Sequence, residues 1–264
     1  MSEVVPGQYR ETWRRLFASR LPGMFGKSFN AVRFARGSSA VLEQAARADG
    51  PIVLASNHQS WWDPLVGFLL HDRWFRGRPV LSPMDRTQLA KFGFFRKLGV
   101  FGVDPDDAAG LRPFVRYVEE RFAAEPRSVL MLTPQGEFVD PRRPVKVRPG
   151  IAMVMARAPG AAALAATVEY VFWNDRRPEV LVLVSRVDAP ADAGSVRAWE
   201  AAFDDAMNRN AAELARLSTA RDATAFDTVV GGGGARTHPV YDLWLRITGR
   251  NPSIEVAHRG GGRP

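Results

Sequence analysis

Mostly apolar runs, bounded by Pro, Gly or charged residues, recur along the middle of the chain at 51–56 (PIVLAS), 79–82, 99–103, 128–132, 161–172 (which carries Glu169) and 180–187 (which carries Arg186). Short runs of this kind between turn signals predict buried strands. Between them the apolar positions space out. Residues 64–70 and 151–157 predict short helices, and 111–124 sets Phe114, Val118 and Phe122 on one face. Residues 195–217 carry Trp199, Phe203, Met207, Leu214 and Leu217 at intervals of three and four, the stripe of an ordinary packed helix. Strand and helix take turns, so the expected fold is α/β, a mixed, largely parallel sheet flanked by helices.

The pattern changes at both ends. Residues 1–36 hold seven Lys or Arg against Glu3 and Glu11, interleaved with Trp13, Leu16, Phe17, Leu21, Met24, Phe25 and Phe29. Pro22-Gly23 interrupts the stretch, which predicts two short helices with basic and aromatic faces. Such faces suit a membrane interface, and equally a helix that packs on the domain. A second basic-aromatic block, RWFRGRPVLSPMDRTQLAKFGFFRKL, fills 73–98 and could grip lipid or stack on single-stranded nucleic acid. GGGG at 231–234 reads as a hinge, and the basic stretch after it contains Trp244 and Leu245. The expected division is therefore an amphipathic, membrane-facing helical segment over 1–45, an α/β domain over 46–225, and a Gly-rich hinge with a basic tail over 226–264.

Composition narrows the chemistry. A formal net charge of +8 favours an anionic partner. The absence of Cys excludes a thiol nucleophile and Cys-bound zinc, and no other metal-ligand spacing occurs, so no catalytic metal is expected. No run reaches the roughly 18 apolar residues of a spanning helix, and the N-terminus lacks the apolar core of a secretory signal. The expectation is a cytoplasmic protein, peripheral on the inner face of the membrane.

The run at 51–56 leads straight into SNHQSWWDP, residues 56–64. A strand ending there releases Asn57 and His58 at the sheet edge where α/β folds place their sites. Asp63-Pro64 has the form of a helix start, with Asp as cap and Pro in the first turn. One carboxylate oxygen could cap while the other holds the imidazole in one tautomer, leaving His58 to take a proton from a substrate hydroxyl. A buried structural histidine beside a helix cap accounts for the same residues.

NHQSWWD resembles the Asn-His-x4-Asp signature of the glycerolipid and lysophospholipid acyltransferases. GVFGVD at 99–104 is similar to that family's second block, TPQGEF at 133–138 to its third, and VRPG at 147–150 to the basic residue and Gly that follow it. The blocks keep the family's order over residues 50–172. The resemblance implies that His58 deprotonates an acceptor hydroxyl, that Asp63 orients it, and that the oxygen attacks an acyl thioester directly. Acyl-CoA or acyl carrier protein would be the co-substrate, with no bound cofactor. Asn57, Trp61, Trp62, Asp104, Gln135, Gly136, Glu137, Arg148 and Gly150 become the candidate substrate-binding residues, and backbone N–H groups near Gly136 or in 148–150 the candidate oxyanion donors.

The departures matter as much. Asp104 is followed by Pro105 where the family carries an Arg, and Gly136 by Glu137-Phe138 where it carries Thr-Arg. Gln135 replaces a Glu. Both phosphate-binding arginines are missing, which points the acceptor away from a phosphate-headed lysolipid unless Arg142, Arg143, Lys146 or Arg148 substitutes. The expected function is an O-acyltransferase acting on a lipid hydroxyl at a membrane surface, with no nucleic-acid partner. An esterase or thioesterase using the same His with water, and a non-enzymatic module binding anionic membrane or nucleic acid, are the alternatives.

Overall fold

The computed structural model describes residues 4–232. Among these, eight strands form one sheet: β1 (Ala31–Ala35), β2 (Ile52–Ser56), β3 (Val80–Asp85), β4 (Val100–Val103), β5 (Val129–Leu132), β6 (Ala162–Val171), β7 (Glu179–Arg186) and β8 (Phe226–Gly231). Their spatial order is β4-β3-β5-β2-β6-β7-β1-β8. The first five run parallel, β7 is antiparallel to β6, β1 is parallel to β7, and β8 closes the edge antiparallel to β1. The sheet is mixed and mostly parallel, as the alternation of strand and helix requires.

Helices cover both faces. On one side lie α1 (Glu11–Ala18), α2 (Leu21–Ser28), α3 (Ser38–Ala46) and α4 (Asp63–Trp74), packed on Ile52, Leu54, Val129, Met131, Val168 and Val182. On the other lie α6 (Leu111–Ala124), α7 (Pro149–Arg157) and α8 (Val196–Ala220), packed on Val53, Ala55, Leu130 and Ala165. Alternate residues of one strand thus feed two cores, which is why the strands read as continuous apolar runs rather than alternating ones. A short α5 (Arg86–Lys91) and a 3-10 turn (Gly93–Leu98) link β3 to β4.

The ends differ from the sequence expectation in detail. The basic N-terminal stretch does form two short helices, but the break falls at Ser19-Arg20 and Pro22 sits inside the first turn of α2, where its missing N–H costs nothing. Residues 31–35 and 38–46 are β1 and α3, so the chain joins the sheet within the segment expected to be helical. Residues 226–231 are likewise a strand, and Gly231 and Gly232 take the left-handed φ values of 74° and 85°. The rest of the expected hinge, Trp244 and Leu245 lie outside the described residues.

α1 is fixed rather than loose. The buried Arg14 guanidinium donates to both Glu11 oxygens at 2.8 Å and to Asp72 of α4 at 2.7 Å. Phe17 packs edge-on against Phe68, 5.4 Å between centroids. This face of α1 is spent on α4, and its other face leaves Trp13 and Leu16 exposed. No helix among the described residues is long and apolar enough to cross a membrane.

Candidate active site

β2, β3, β4 and β5 all point the same way, so their carboxyl ends share one edge, the usual place for a site in an open α/β sheet. His58 follows β2 there. Its Nδ1 lies 2.9 Å from Asp63 Oδ2. That same oxygen accepts from the backbone N–H groups of Gln59 at 2.7 Å and Ser60 at 2.8 Å. The other oxygen, Oδ1, accepts from the Tyr170 hydroxyl at 2.7 Å. The Asp63 side chain is wholly enclosed and His58 is 18% exposed. A carboxylate accepts only, so the imidazole carries its proton on Nδ1 and presents a lone pair on Nε2.

The expected helix cap takes a different form. Asp63 is the first residue of α4 and Trp62 its N-cap, without a side-chain bond to the helix. The carboxylate instead ties the preceding turn to the imidazole. Four residues between His58 and Asp63 give a loop just long enough to close back on itself.

Asn57 anchors the loop from behind: its Nδ2 donates to Val168 O at 3.0 Å, and its Oδ1 accepts from Val168 N at 2.8 Å. Gln135, buried, accepts from His58 N at 2.8 Å, and His58 O accepts from Val139 N at 2.7 Å. The turn after β5 is therefore stitched to both sides of the histidine. Phe138 lays its ring 4.2 Å from the imidazole, and Trp61, 60% exposed, lies 6.2 Å from Phe138.

Gly136 has φ of 72°, and a Cβ there would sit 2.6 Å from Arg148 Nε. Only glycine suits both the backbone angle and the guanidinium lying over it. Arg148 Nη1 then donates to Pro105 O at 2.7 Å and approaches Asp106 at 3.3 Å, joining the loop after β4 to the turn after β5. The N–H groups of Gly136 and Arg148 are taken by Thr133 O and Pro134 O, so neither is offered to an oxyanion.

Beside His58 opens a cavity of about 420 Å³, a size typical of small-ligand sites. Its inner part runs between α4 and the sheet, walled by Val66, Gly67, Leu70, Leu54, Met131 and Val182, and its outer part by Trp61, Phe138 and Glu137. The arrangement offers a base at the neck of an apolar slot.

A family model described as Acyltransferase matches residues 38–170. The chain belongs to the acyltransferase family. Among solved structures, the crystal structure of the 1-acyl-sn-glycerophosphate (LPA) acyltransferase PlsC from Thermotoga maritima is similar in fold. The TM-score is 0.51 at 16% identity, over 76% of this chain and 81% of that one. No curated protein matches the sequence.

Within this acyltransferase, His58, Asp63, Trp61, Gly136 and Glu137 line the cavity, while Asn57, Gln135 and Arg148 brace its walls. Three sequence candidates lie elsewhere. Trp62 turns inward onto Phe25 and Phe29, 5.4 and 4.8 Å between centroids. Gly150 allows α7 to approach Leu111 and Phe114. Asp104 pairs with Arg86 at 3.3 Å, and its neighbours Val103 and Pro105 line the cavity instead. Tyr170 was not foreseen, because a tyrosine in an apolar strand reads as packing.

Proposed function

We propose that the protein transfers a fatty acyl group from acyl-CoA or acyl carrier protein to a lipid hydroxyl, with His58 as general base. The observation that carries the reading is the His58–Asp63 pair at 2.9 Å beside an apolar slot. His58 takes the acceptor proton on Nε2 while Asp63 holds Nδ1–H and offsets the charge that develops on the ring. The acceptor oxygen attacks the thioester carbonyl, the C–S bond breaks, and the imidazolium returns the proton to the leaving thiolate. The slot would hold an acyl chain.

We also infer that the protein works at a membrane surface. Trp13, Leu16, Met24, Trp61, Phe92, Phe94 and Phe138 are exposed. Ring contacts of 4.5 to 6.3 Å run from Phe94 through Phe95, Phe92 and Trp61 to Phe138 beside His58. Lys97 lies 4.1 Å over Trp13. An apolar rim that continues to the base, fringed by cations, suits delivery of lipid from the interface. Removing residues 1–36 would also strip Leu21, Phe25 and β1 from the core, so surface substitutions make the cleaner probe.

The test is to follow radiolabelled acyl-CoA into a total membrane lipid extract with wild type and His58→Ala. Label entering a lipid only with His58 intact is the expected result. Release of free fatty acid alone would make the protein a thioesterase. No product from acyl-CoA or acyl carrier protein would sink the transfer reading. For the surface, Trp13→Ser, Leu16→Ser and Phe94→Ser together should abolish flotation with anionic liposomes, and unchanged flotation would remove the docking face.

A further inference from the structure

The charges around the cavity bear on which hydroxyl it accepts. Among the described residues, no lysine or arginine lines it. Its ionisable members besides His58 are Asp63, Asp85 and Glu137. Asp63 is committed to the imidazole and Tyr170. Asp85 caps α5 by accepting from Thr87 N and Gln88 N at 2.9 and 3.0 Å. Burial works against its charge, yet the hydrogen bonds from Thr87 and Gln88 outweigh it and hold the carboxyl below its ordinary value.

Glu137 is exposed, and its neighbours fix where it stands. Gln135, two residues before it, accepts from His58 N, and Phe138, the next residue, packs its ring at a tilt against the imidazole. Glu137 itself lines the cavity, between a residue bonded to the His58 backbone and one packed on its ring. Of the cations nearby, Arg143 is exposed, bonded only through its backbone to Asp140 O and outside the cavity lining, while three others have side-chain partners. Arg142 grips Asp140 through bonds of 2.8 and 2.6 Å, Lys146 meets Asp204 at 2.8 Å, and Arg148 is bound to Pro105 O and Asp106. A phosphate monoester carries nearly two negative charges at neutral pH and seeks a guanidinium fork. Here it would meet carboxylates.

We propose, resting on the acyl-transfer reading, that the acceptor is a lipid alcohol whose head carries no phosphate beside the reacting hydroxyl and is uncharged or an ammonium, with Glu137 as the selecting residue. An ammonium would pair with Glu137, a neutral head would cost nothing, and a phosphate would be repelled. The discrimination is electrostatic, so it weakens as salt rises.

The test separates selection from catalysis by measuring binding. Full-length His58→Ala is titrated with monoacylglycerol, a long-chain amino alcohol and lysophosphatidate of equal chain length, each in neutral detergent micelles. The first two should bind about tenfold or more tighter than lysophosphatidate, the scale of one like-charge contact near a surface. In the Glu137→Gln background the gap should narrow, and with Glu137→Arg it should reverse. Both changes are at an exposed position, so folding is checked by an unchanged thermal midpoint. Lysophosphatidate binding as tightly as the others, or a gap indifferent to residue 137, would overturn the proposal. A protein that ranks the ligands as expected but whose wild type forms no ester would overturn the transfer reading and leave the selection standing.

Discussion

The Tyr170 hydroxyl donates to Asp63 Oδ1 at 2.7 Å, so the carboxylate that orients His58 is itself held by a strand residue 107 positions later in the chain. Burial, and then the Asp63 charge and hydrogen bond, push this phenol far above its ordinary range, so it stays a donor at any working pH. β6 is thus part of the site twice over, through Tyr170 and through the Val168 backbone that clasps Asn57.

Tyr170→Phe keeps the ring against Phe29, 5.7 Å away, and removes only the hydroxyl. The buried Asp63 oxygen then lacks its donor, a loss of about 1–3 kcal/mol. Because Tyr170 does not line the cavity, kcat should fall about tenfold with KM nearly unchanged. Steady-state kinetics beside a thermal melt check this. A lowered melting temperature with kcat intact would make Tyr170 a packing residue only.

The turn after β5 can be tested through Gly136. An alanine there faces a left-handed φ costing about 1–2 kcal/mol and a Cβ at 2.6 Å from Arg148 Nε. Gly136→Ala should lower both stability and activity, since the guanidinium must leave Pro105 O and the turn carries Gln135 and Phe138 to His58. Arg148→Ala should cost less in that background than in wild type, because the alanine has already displaced the guanidinium from Pro105 O and truncating it removes the clash. A thermal-melt double-mutant cycle with no coupling would show that the two residues do not press on each other.

What the sequence made legible follows from which interactions are local. His58 and Asp63 are five residues apart and their pairing is a matter of one turn, so the motif announces itself. β1 was hidden because Ala31-Val32-Arg33-Phe34-Ala35 is only five residues long with a charge at its centre, leaving no apolar run longer than two on either side. Arg33 is accommodated there by partners far along the chain: Glu179 accepts its Nε–H at 2.6 Å and Thr228 its Nη1–H at 2.7 Å. The two tryptophans show the same limit. Trp61 and Trp62 are adjacent, yet the start of α4 turns Trp62 into the core and leaves Trp61 at the rim, a split that composition cannot express. The missing phosphate-binding arginines were legible. That Arg148 reaches Pro105 O was not, because this partner lies on a loop some forty residues earlier.

Gly67 offers a probe of the slot. It lies on α4 facing β5, and a Cβ would meet only Met131 Sδ at 3.8 Å, an ordinary contact. Gly67→Ala should therefore fold at least as well as wild type, with up to about 1 kcal/mol gained in helix propensity. Gly67→Leu should instead fill the inner slot and shift donor preference toward shorter acyl chains by about tenfold. Competition between long- and short-chain acyl-CoA reads the shift directly. An unchanged preference would mean that the chain does not enter between α4 and the sheet.

His71 gives a pH dependence whose sign can be worked out. It is enclosed on α4, where Nε2 meets Arg78 O at 2.9 Å and Nδ1 has no partner among the described residues. Burial, then the nearby Arg14 charge, lowers its pKa to about 4, with the Arg78 carbonyl, Glu11 and Asp72 opposing. The folded state binds the proton less readily than the unfolded chain, so protonation favours unfolding. The stability contributed by neutral His71 is present above the unfolded value near 6.5 and is lost as pH falls toward 4, an amount of roughly 3 kcal/mol. His71→Gln preserves a donor for Arg78 O and cannot titrate. Carboxylates such as Asp72 contribute acid lability to both proteins and cancel in the comparison. Chemical denaturation at several pH values should show wild type losing stability between pH 6.5 and 4 faster than His71→Gln, and parallel curves would show that His71 is not the group responsible.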